Sequence, residues 1–342
     1  MSRLPDMDTL PAGVLVELHE IGRRLKDDSP ADTIACAYGI GHDVWVWHDE
    51  SDGRYFDLAS LTKPLFTAPT VLTLLAARAT LDGAVADTLS WVPRVPGTPT
   101  VRRLLTHAAG LPAELPDDGT APDVYTWVAD RIHEVSVARE FVTYSDVGYW
   151  LLGDFAVSVT GKPLAALFAS TPTAASGGFM FGQAPADRSV PAGPVAGSMR
   201  LPHDPAARRL GLSGHAGAFG TLSGVIDAVM TWLDRTWLPD LLAEEAVTCQ
   251  THATPGGHRS LAWTLAGDPF HPVAHDWPPT TTCHTGFTGV SVALDRVSRW
   301  WAVYLSNAIP VAADPSPVLM ARRRFHAAAA RHLGGTMPKP SP

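Results

Sequence analysis

Apolar residues recur at helical spacing near the start of the chain, at Leu10, Val14, Leu15, Leu18, Ile21 and Leu25, and predict an amphipathic helix over residues 7–27 laid on one face of a sheet. Residues 33–38 and 43–48 change to a β-rich pattern on either side of Gly39 and Gly41, which predicts a hairpin that residues 54–58 extend. The same pattern returns at the other end. Residues 260–265, 280–285, 290–294 and 300–306 predict strands, with a turn at Asp295 and Arg296, and residues 321–333 predict a closing helix.

Between these ends, residues 64–255 are rich in Leu and Ala and punctuated by Pro and Gly, which predicts helices and loops rather than strands. Strands at both ends and helices between them imply one sheet closed by the two ends of the chain. The expected organisation is a single α/β (α+β) domain over residues 1–333, with a sheet part at about 1–63 and 256–333 and a helical part at about 64–255. Residues 171–200, dense in Pro, Gly, Ala and Ser, predict a long surface loop, and residues 334–342 a disordered tail.

Composition narrows the class. The 342 residues are 46% hydrophobic and only 18% charged, which argues for a heavily buried globular chain. A net charge of −8, with no basic stripe outside Arg322-Arg323-Arg324, argues against nucleic acid or polyanionic substrates. Three cysteines without C-x-x-C spacing fit reduced thiols, and the first ten residues lack the basic-then-apolar layout of a signal peptide. The apolar stretch 69–77 is too short to span a bilayer. These features together predict a cytoplasmic protein without membrane or nucleic-acid partners; oligomeric state stays open. Fourteen histidines lie scattered without H-E-x-x-H spacing, so no metal or other cofactor is expected.

Lysine is rare: of 26 basic residues four are Lys, at 26, 63, 162 and 339, leaving 26 − 4 = 22 Arg. Arginine keeps its proton in a protein whereas a buried lysine can lose it, so a site that needs an amine base must keep Lys. Lys63 stands in Ala59-Ser60-Leu61-Thr62-Lys63-Pro64, between a strand pattern and an apolar helical run. Pro64 suits a first helical turn, and a three-residue spacing brings the Lys63 amine to the Ser60 hydroxyl at the positive end of the helix. A bare S-x-x-K also arises by chance, with Ser60 only a cap.

Further segments carry a resemblance. Phe56-Asp57-Leu58-Ala59-Ser60-Leu61-Thr62-Lys63, Leu104-Leu105-Thr106-His107-Ala108-Ala109-Gly110-Leu111-Pro112, Tyr144-Ser145-Asp146, His203-Asp204-Pro205 with Gly214-His215-Ala216-Gly217, and His284-Thr285-Gly286 follow one another in order. In these the chain resembles the serine β-lactamase and penicillin-binding protein superfamily, most closely class C β-lactamase-like hydrolases, which include esterases, D-amino-acid peptidases and transacylases. The resemblance spans about residues 30–310 and implies a β-lactamase/transpeptidase-like fold, with a central antiparallel sheet flanked by helices.

It also implies a covalent acyl-enzyme: Ser60 attacks an ester or amide carbonyl, Lys63 and Tyr144 share the base work, and the backbone amides of Ser60 and Phe287 form the oxyanion hole. Lys63 and His284 are expected to supply the cations that let a phenol act as a base. Asp146 stands where β-lactamases place an Asn, and His284 replaces the strand lysine that helps bind a carboxylate. Both departures weigh against β-lactam recognition. Substrate contacts are expected from Asp146, Thr285, Gly286, His215 and, at the rim of the cleft, Trp277. Asp146 would also serve as partner of an α-amine if the protein were a D-peptidase. Glu20, Asp57 and Asp154 read as surface or capping groups. The function expected is acyl transfer from a small-molecule ester or amide to water or to an amine; a binding protein with a retired site is the reading of another class.

Overall fold

The computed structural model describes residues 23, 31–49, 53–78, 80–116, 123–135, 141–190, 200–269, 271, 273, 276–308 and 316–336. Apart from Arg23, the predicted opening helix lies outside them, as do Glu20 and residues 337–342.

Strands β1 (Ile34–Ile40) and β2 (Asp43–His48) form the predicted hairpin, turning at Gly41 with φ +55°. The chain continues through β3 (Phe56–Asp57), a 3-10 turn (Ala59–Leu61), a π-helical turn (Lys63–Thr67) and helix α1 (Ala68–Arg78). Helices α2 (Val101–Leu105), α3 (Val124–Glu134), α4 (Asp146–Thr160) and α5 (Leu164–Ala169) follow. After them come β4 (Phe179–Phe181), α6 (Pro205–Leu210), β5 (Ala218–Gly220), α7 (Leu222–Asp234) and α8 (Asp240–Glu245). The closing part is β6 (Thr264–Leu265), β7 (Thr281–Thr285), β8 (Ser291–Asp295), β9 (Trp300–Ser306) and α9 (Ser316–Thr336).

Six strands make one antiparallel sheet in the order β2-β1-β9-β8-β7-β6, so the amino-terminal hairpin joins the last strand, with Ile34 opposite Ser306. Period-two alternation sends alternate residues to opposite faces. Ala35, Ala37, Val303 and Leu305 pack with Val225, Val229 and Trp232 of α7, whereas Ile34, Cys36, Tyr38 and Tyr304 pack with Phe325, Ala329 and Leu333 of α9. Both faces are covered, and for that reason β1 and β9 are mostly apolar rather than amphipathic, with only Ser306 at the end of β9 carrying a small polar side chain.

Four expectations change. Residues 334–336, expected in a disordered tail, are the last residues of α9. Residues 54–58 do not extend the main sheet: β3 pairs with β5 in a second sheet of order β3-β5-β4, because two residues pointing into the helical part find partners there. Of residues 260–265 only Thr264 and Leu265 are strand, since Arg259 to Trp263 turn back on themselves through Ser260 N–H to the Trp263 carbonyl, 3.0 Å. Residues 171–190 are no surface loop, for they hold β4 and a 3-10 turn, and Thr173, Ala174, Ala184 and Val190 are buried. Among the described residues no helix is long and apolar enough to cross a membrane.

Candidate active site

The nucleophile segment is built by an interrupted helix. Leu58 N–H bonds to the Ala218 carbonyl at 3.0 Å, and Ala59 then turns through φ +43°, a left-handed value that a β-carbon disfavours. The 3-10 turn at Ser60 widens into the π turn, whose displaced carbonyls are met by side chains: Trp232 Nε1 donates to Pro64 O at 2.9 Å and Thr173 Oγ1 to Leu65 O. This sets Lys63, fully buried, against Ser60, with Nζ 2.9 Å from Oγ.

The other elements converge on that amine. Lys63 Nζ donates to the His215 carbonyl at 2.9 Å and lies 2.7 Å from Asp146 Oδ1. Ser145 caps α4 by accepting from Gly148 N–H at 3.0 Å while donating to Pro112 O at 2.6 Å; Tyr144 and Asp146 flank this cap and both reach Lys63. The Tyr144 phenol faces Lys63, with the amine 4.9 Å from the ring centre, and interacts electrostatically with it. His107, itself at φ +57°, stacks on Tyr144 with ring centres 4.5 Å apart and accepts the Ser145 N–H at Nδ1, 3.0 Å.

Electrostatics set the protonation states. Burial alone would push the Lys63 pKa down, but the facing Asp146 and Tyr144 outweigh it and hold it above ordinary lysine. Lys63 is therefore an ammonium at rest, not the free amine that its rarity suggested. Burial pushes Tyr144 up while Lys63 pulls it back, and the net direction is upward, leaving a neutral phenol. Burial, with Lys63 and Arg259 nearby, drives His284 down to about 3; its Nδ1 donates to the Thr285 carbonyl at 2.8 Å. His284 is thus neutral, and the expectation that it supplies a cation to Tyr144 is corrected.

A cavity of about 610 Å³ opens above Ser60, lined by Tyr144, His284, Thr285, Gly286 and Phe287, with Ala113, Val142, Val318 and Leu319 as apolar wall. Gly286 is required by proximity: a β-carbon there would sit 2.7 Å from Leu58 O and 2.5 Å from Val290 Cγ2. Phe287, 57% exposed, forms the rim.

Three predicted substrate contacts fall elsewhere. Trp277 is buried on the far face of the sheet, where Nε1 donates to His326 O at 2.8 Å and the ring packs against Trp300, because its apolar surface and single donor are satisfied in that core. His215 is buried behind Lys63, held between Ser213 Oγ at 2.6 Å and Asp204 Oδ1 at 2.9 Å, and does not line the cavity. Asp146 is spent on Lys63, so its carboxylate is not on offer to a substrate amine. One ligand atom each of Asp146, Asp204 and His215 lie within 4.8 Å of one another, and the Lys63 ammonium already supplies positive charge beside them.

Sequence reasoning missed Arg259 and Arg322, both buried and both lining the cavity. Arg259 pairs with Asp268, Nε to Oδ2 3.0 Å, and its guanidinium carbon lies 5.9 Å from the Tyr144 ring centre. Arg322 Nε donates to Gly289 O at 3.1 Å and Nη2 to Gly286 O, which ties α9 to the end of β7. Nothing in a chain with 22 arginines marks these two. Asp57, read as a surface or capping group, is buried; Asp154 is half-buried and accepts from Trp91 Nε1 at 2.9 Å.

Comparison with known proteins agrees with this geometry. A family model described as Beta-lactamase matches residues 49–324. No curated protein matches. Among solved structures the chain is similar to a beta-lactamase/D-alanine carboxypeptidase from Pseudomonas syringae, with a TM-score of 0.70 and 15% identity over 96% of this chain and 100% of that one. It is also similar to a class C beta lactamase from Rhodobacter sphaeroides (TM-score 0.69, 16% identity, 93% and 99% covered). A third is EstCE1, described as a hydrolase with promiscuous acyltransferase activity (TM-score 0.68, 17% identity, 92% and 98% covered).

Proposed function

The chain belongs to the beta-lactamase family, and from that premise we propose that it transfers an acyl group from a small-molecule ester or amide through a covalent ester on Ser60. The observation that carries this reading is the 2.9 Å contact of Lys63 Nζ with Ser60 Oγ, which lines the cavity beside Tyr144.

In the proposed reaction Ser60 Oγ forms a bond to the substrate carbonyl carbon while its proton passes to the Tyr144 and Lys63 unit. The carbonyl oxygen takes up the negative charge and is met by the main-chain amides of Ser60 and Phe287. Collapse of the intermediate breaks the bond to the leaving group, which carries off the proton that Ser60 gave up. Water or an amine then attacks the ester by the same steps in reverse. The base form of Tyr144 is a minority at neutral pH, since burial and Asp146 disfavour the phenolate and outweigh Lys63 and Ser60, which favour it.

The apolar wall favours an acyl group with hydrocarbon surface. A neutral His284 in place of a strand lysine, and Asp146 in place of an Asn donor, both disfavour a β-lactam. Because Asp146 is engaged by Lys63, the reading as a D-amino-acid peptidase loses its amine-binding group.

Intact mass spectrometry of the wild type and Ser60→Ala, after exposure to a p-nitrophenyl ester and to a fluorophosphonate, tests the reading. An adduct on the wild type alone supports it, and faster loss of the acyl adduct on adding amines identifies a transacylase. No adduct on the folded wild type overturns it.

A further inference from the structure

Resting on the reading of Ser60 as nucleophile, we propose that Asp57 is a positioning residue whose ionised carboxylate holds the two halves of the oxyanion hole in register. Asp57 lies in β3, three residues before Ser60, and is 6% exposed. No lysine or arginine forms an ion pair with it among the described residues. Its acceptors are instead filled by main-chain amides, one local and one distant: Oδ1 accepts from Ala59 N–H at 2.8 Å and Oδ2 from His203 N–H, 146 residues away, at 2.7 Å. Its own main-chain oxygen accepts from Thr288 Oγ1 at 2.7 Å.

Each contact reaches a part of the proposed oxyanion hole. Ala59 is the left-handed residue whose orientation sets the Ser60 amide, and a bond from the Asp57 carboxylate to its N–H holds that conformation. Thr288 follows Phe287, the residue of the second proposed oxyanion amide. The His203 ring lies flat on the Phe287 ring, with centres 5.3 Å apart and planes 11° apart. Gly286 touches the same turn, where a β-carbon would be 3.2 Å from Ala59 Cβ. The nucleophile turn and the loop at His203 therefore meet at the Asp57 carboxylate, and the loop at Phe287 joins them through the Asp57 main-chain oxygen and the His203 ring.

An acid whose only task is to turn the chain at Ala59 needs one oxygen, and Asn would serve as well. The second bond, to an amide 146 residues away, requires an acceptor at both positions, which only a carboxylate provides. Burial raises the Asp57 pKa to about 6; the His203 and Ala59 amides and Arg208 pull it down, and Asp204 pushes it up. Above that pH both oxygens accept. Below it one becomes a donor facing a donor, and one arm of the clamp opens.

The test is the rate of fluorophosphonate labelling and of p-nitrophenyl ester turnover between pH 5 and pH 9 for the wild type, Asp57→Asn and Thr288→Val. The wild type should lose rate on the acid side with a midpoint near pH 6. Asp57→Asn should label at least tenfold more slowly at pH 7.5, keep KM within twofold, and lose that acid limb. Labelling within twofold of the wild type, or an acid limb unchanged in Asp57→Asn, overturns the proposal. Should Asp57→Asn fail to fold, the wild-type profile decides: a labelling rate that falls with a midpoint near pH 6 while Thr288→Val keeps the same limb supports the carboxylate clamp, and a rate flat from pH 7.5 to pH 5 overturns it. A folded wild type that takes no label at all, as Ser60→Ala should not, instead removes the reading of Ser60 on which the clamp rests.

Discussion

Buried Lys63 and half-buried Asp146 form an ion pair, Nζ to Oδ1 2.7 Å, that fixes the charge on the one amine in contact with Ser60. Removing the carboxylate leaves burial as the dominant influence on Lys63, and burial favours the neutral amine. Asp146→Asn should therefore shift the alkaline limb of the labelling rate to lower pH, by about one to three units. A pH profile of fluorophosphonate labelling on both proteins checks this, and superimposable profiles would count against Lys63 as part of the base.

Arginine at position 63 would keep the charge and the partner but cannot release a proton. Lys63→Arg should label at least about a hundredfold more slowly than the wild type, the scale on which a proton-transfer group acts. Retention of the wild-type rate would reduce Lys63 to a fixed charge.

Gly286→Ala places a methyl group against Leu58 O and Val290 Cγ2, at 2.7 and 2.5 Å, so β7 and the nucleophile turn must part. The expected result is a loss of about tenfold or more in labelling, the scale on which one misplaced oxyanion donor is felt. Stopped-flow ester hydrolysis reads it directly.

Three buried histidines govern acid stability. Burial holds His284 and His326 near 3 and His107 well below the ordinary 6.5, so the unfolded chain binds protons that the native one refuses. Their contribution is complete above pH 6.5 and is lost as pH falls towards 3. Asp57, raised to about 6, and Asp154, also raised by burial, act in the opposite sense on acidification, whereas His203, His271 and Asp204, all lowered, act in the same sense as the three rings. The thermal midpoint should fall by at least about 4 °C between pH 7 and pH 5. Differential scanning calorimetry at the two pH values decides, and a midpoint that rises on acidification would contradict the protonation states assigned to these rings.

Trp277→Phe should lower stability by about 1–3 kcal/mol, the cost of leaving the buried His326 carbonyl without its donor, and leave the labelling rate within twofold of wild type. Urea denaturation beside the labelling assay separates the two effects.

Trp277 also shows why parts of the site escape a reading of the chain. Its place in a Pro-rich loop ahead of His284 suggested the cleft rim, whereas the loop packs against α9 on the other face of the sheet. Strands β1, β2, β7, β8 and β9, the helical middle, and the approach of Lys63 to Ser60 were legible because alternation, Leu and Ala density and i to i+3 spacing are local properties, whereas Tyr144 came only from the resemblance of ordered motifs. The pairing of β3 with β5 was not, since two residues carry no periodicity. Nor were the roles of Asp57, Arg259 and Arg322: a buried charge looks like a surface charge until its partners are known. The protonation of Lys63 and His284 depends in the same way on groups far off in the chain.

The pairing of Ile34 with Ser306 bears on how the enzyme is made. The amino-terminal hairpin leaves the ribosome early, yet the edge of β1 finds its partner only when β9 has been synthesised, some 260 residues later by the registers of the two strands. Loop closure over that length is slow, and β1 meanwhile presents an apolar, unpaired edge. Pairing of β1 with β9 is therefore a late step in the assembly of the sheet.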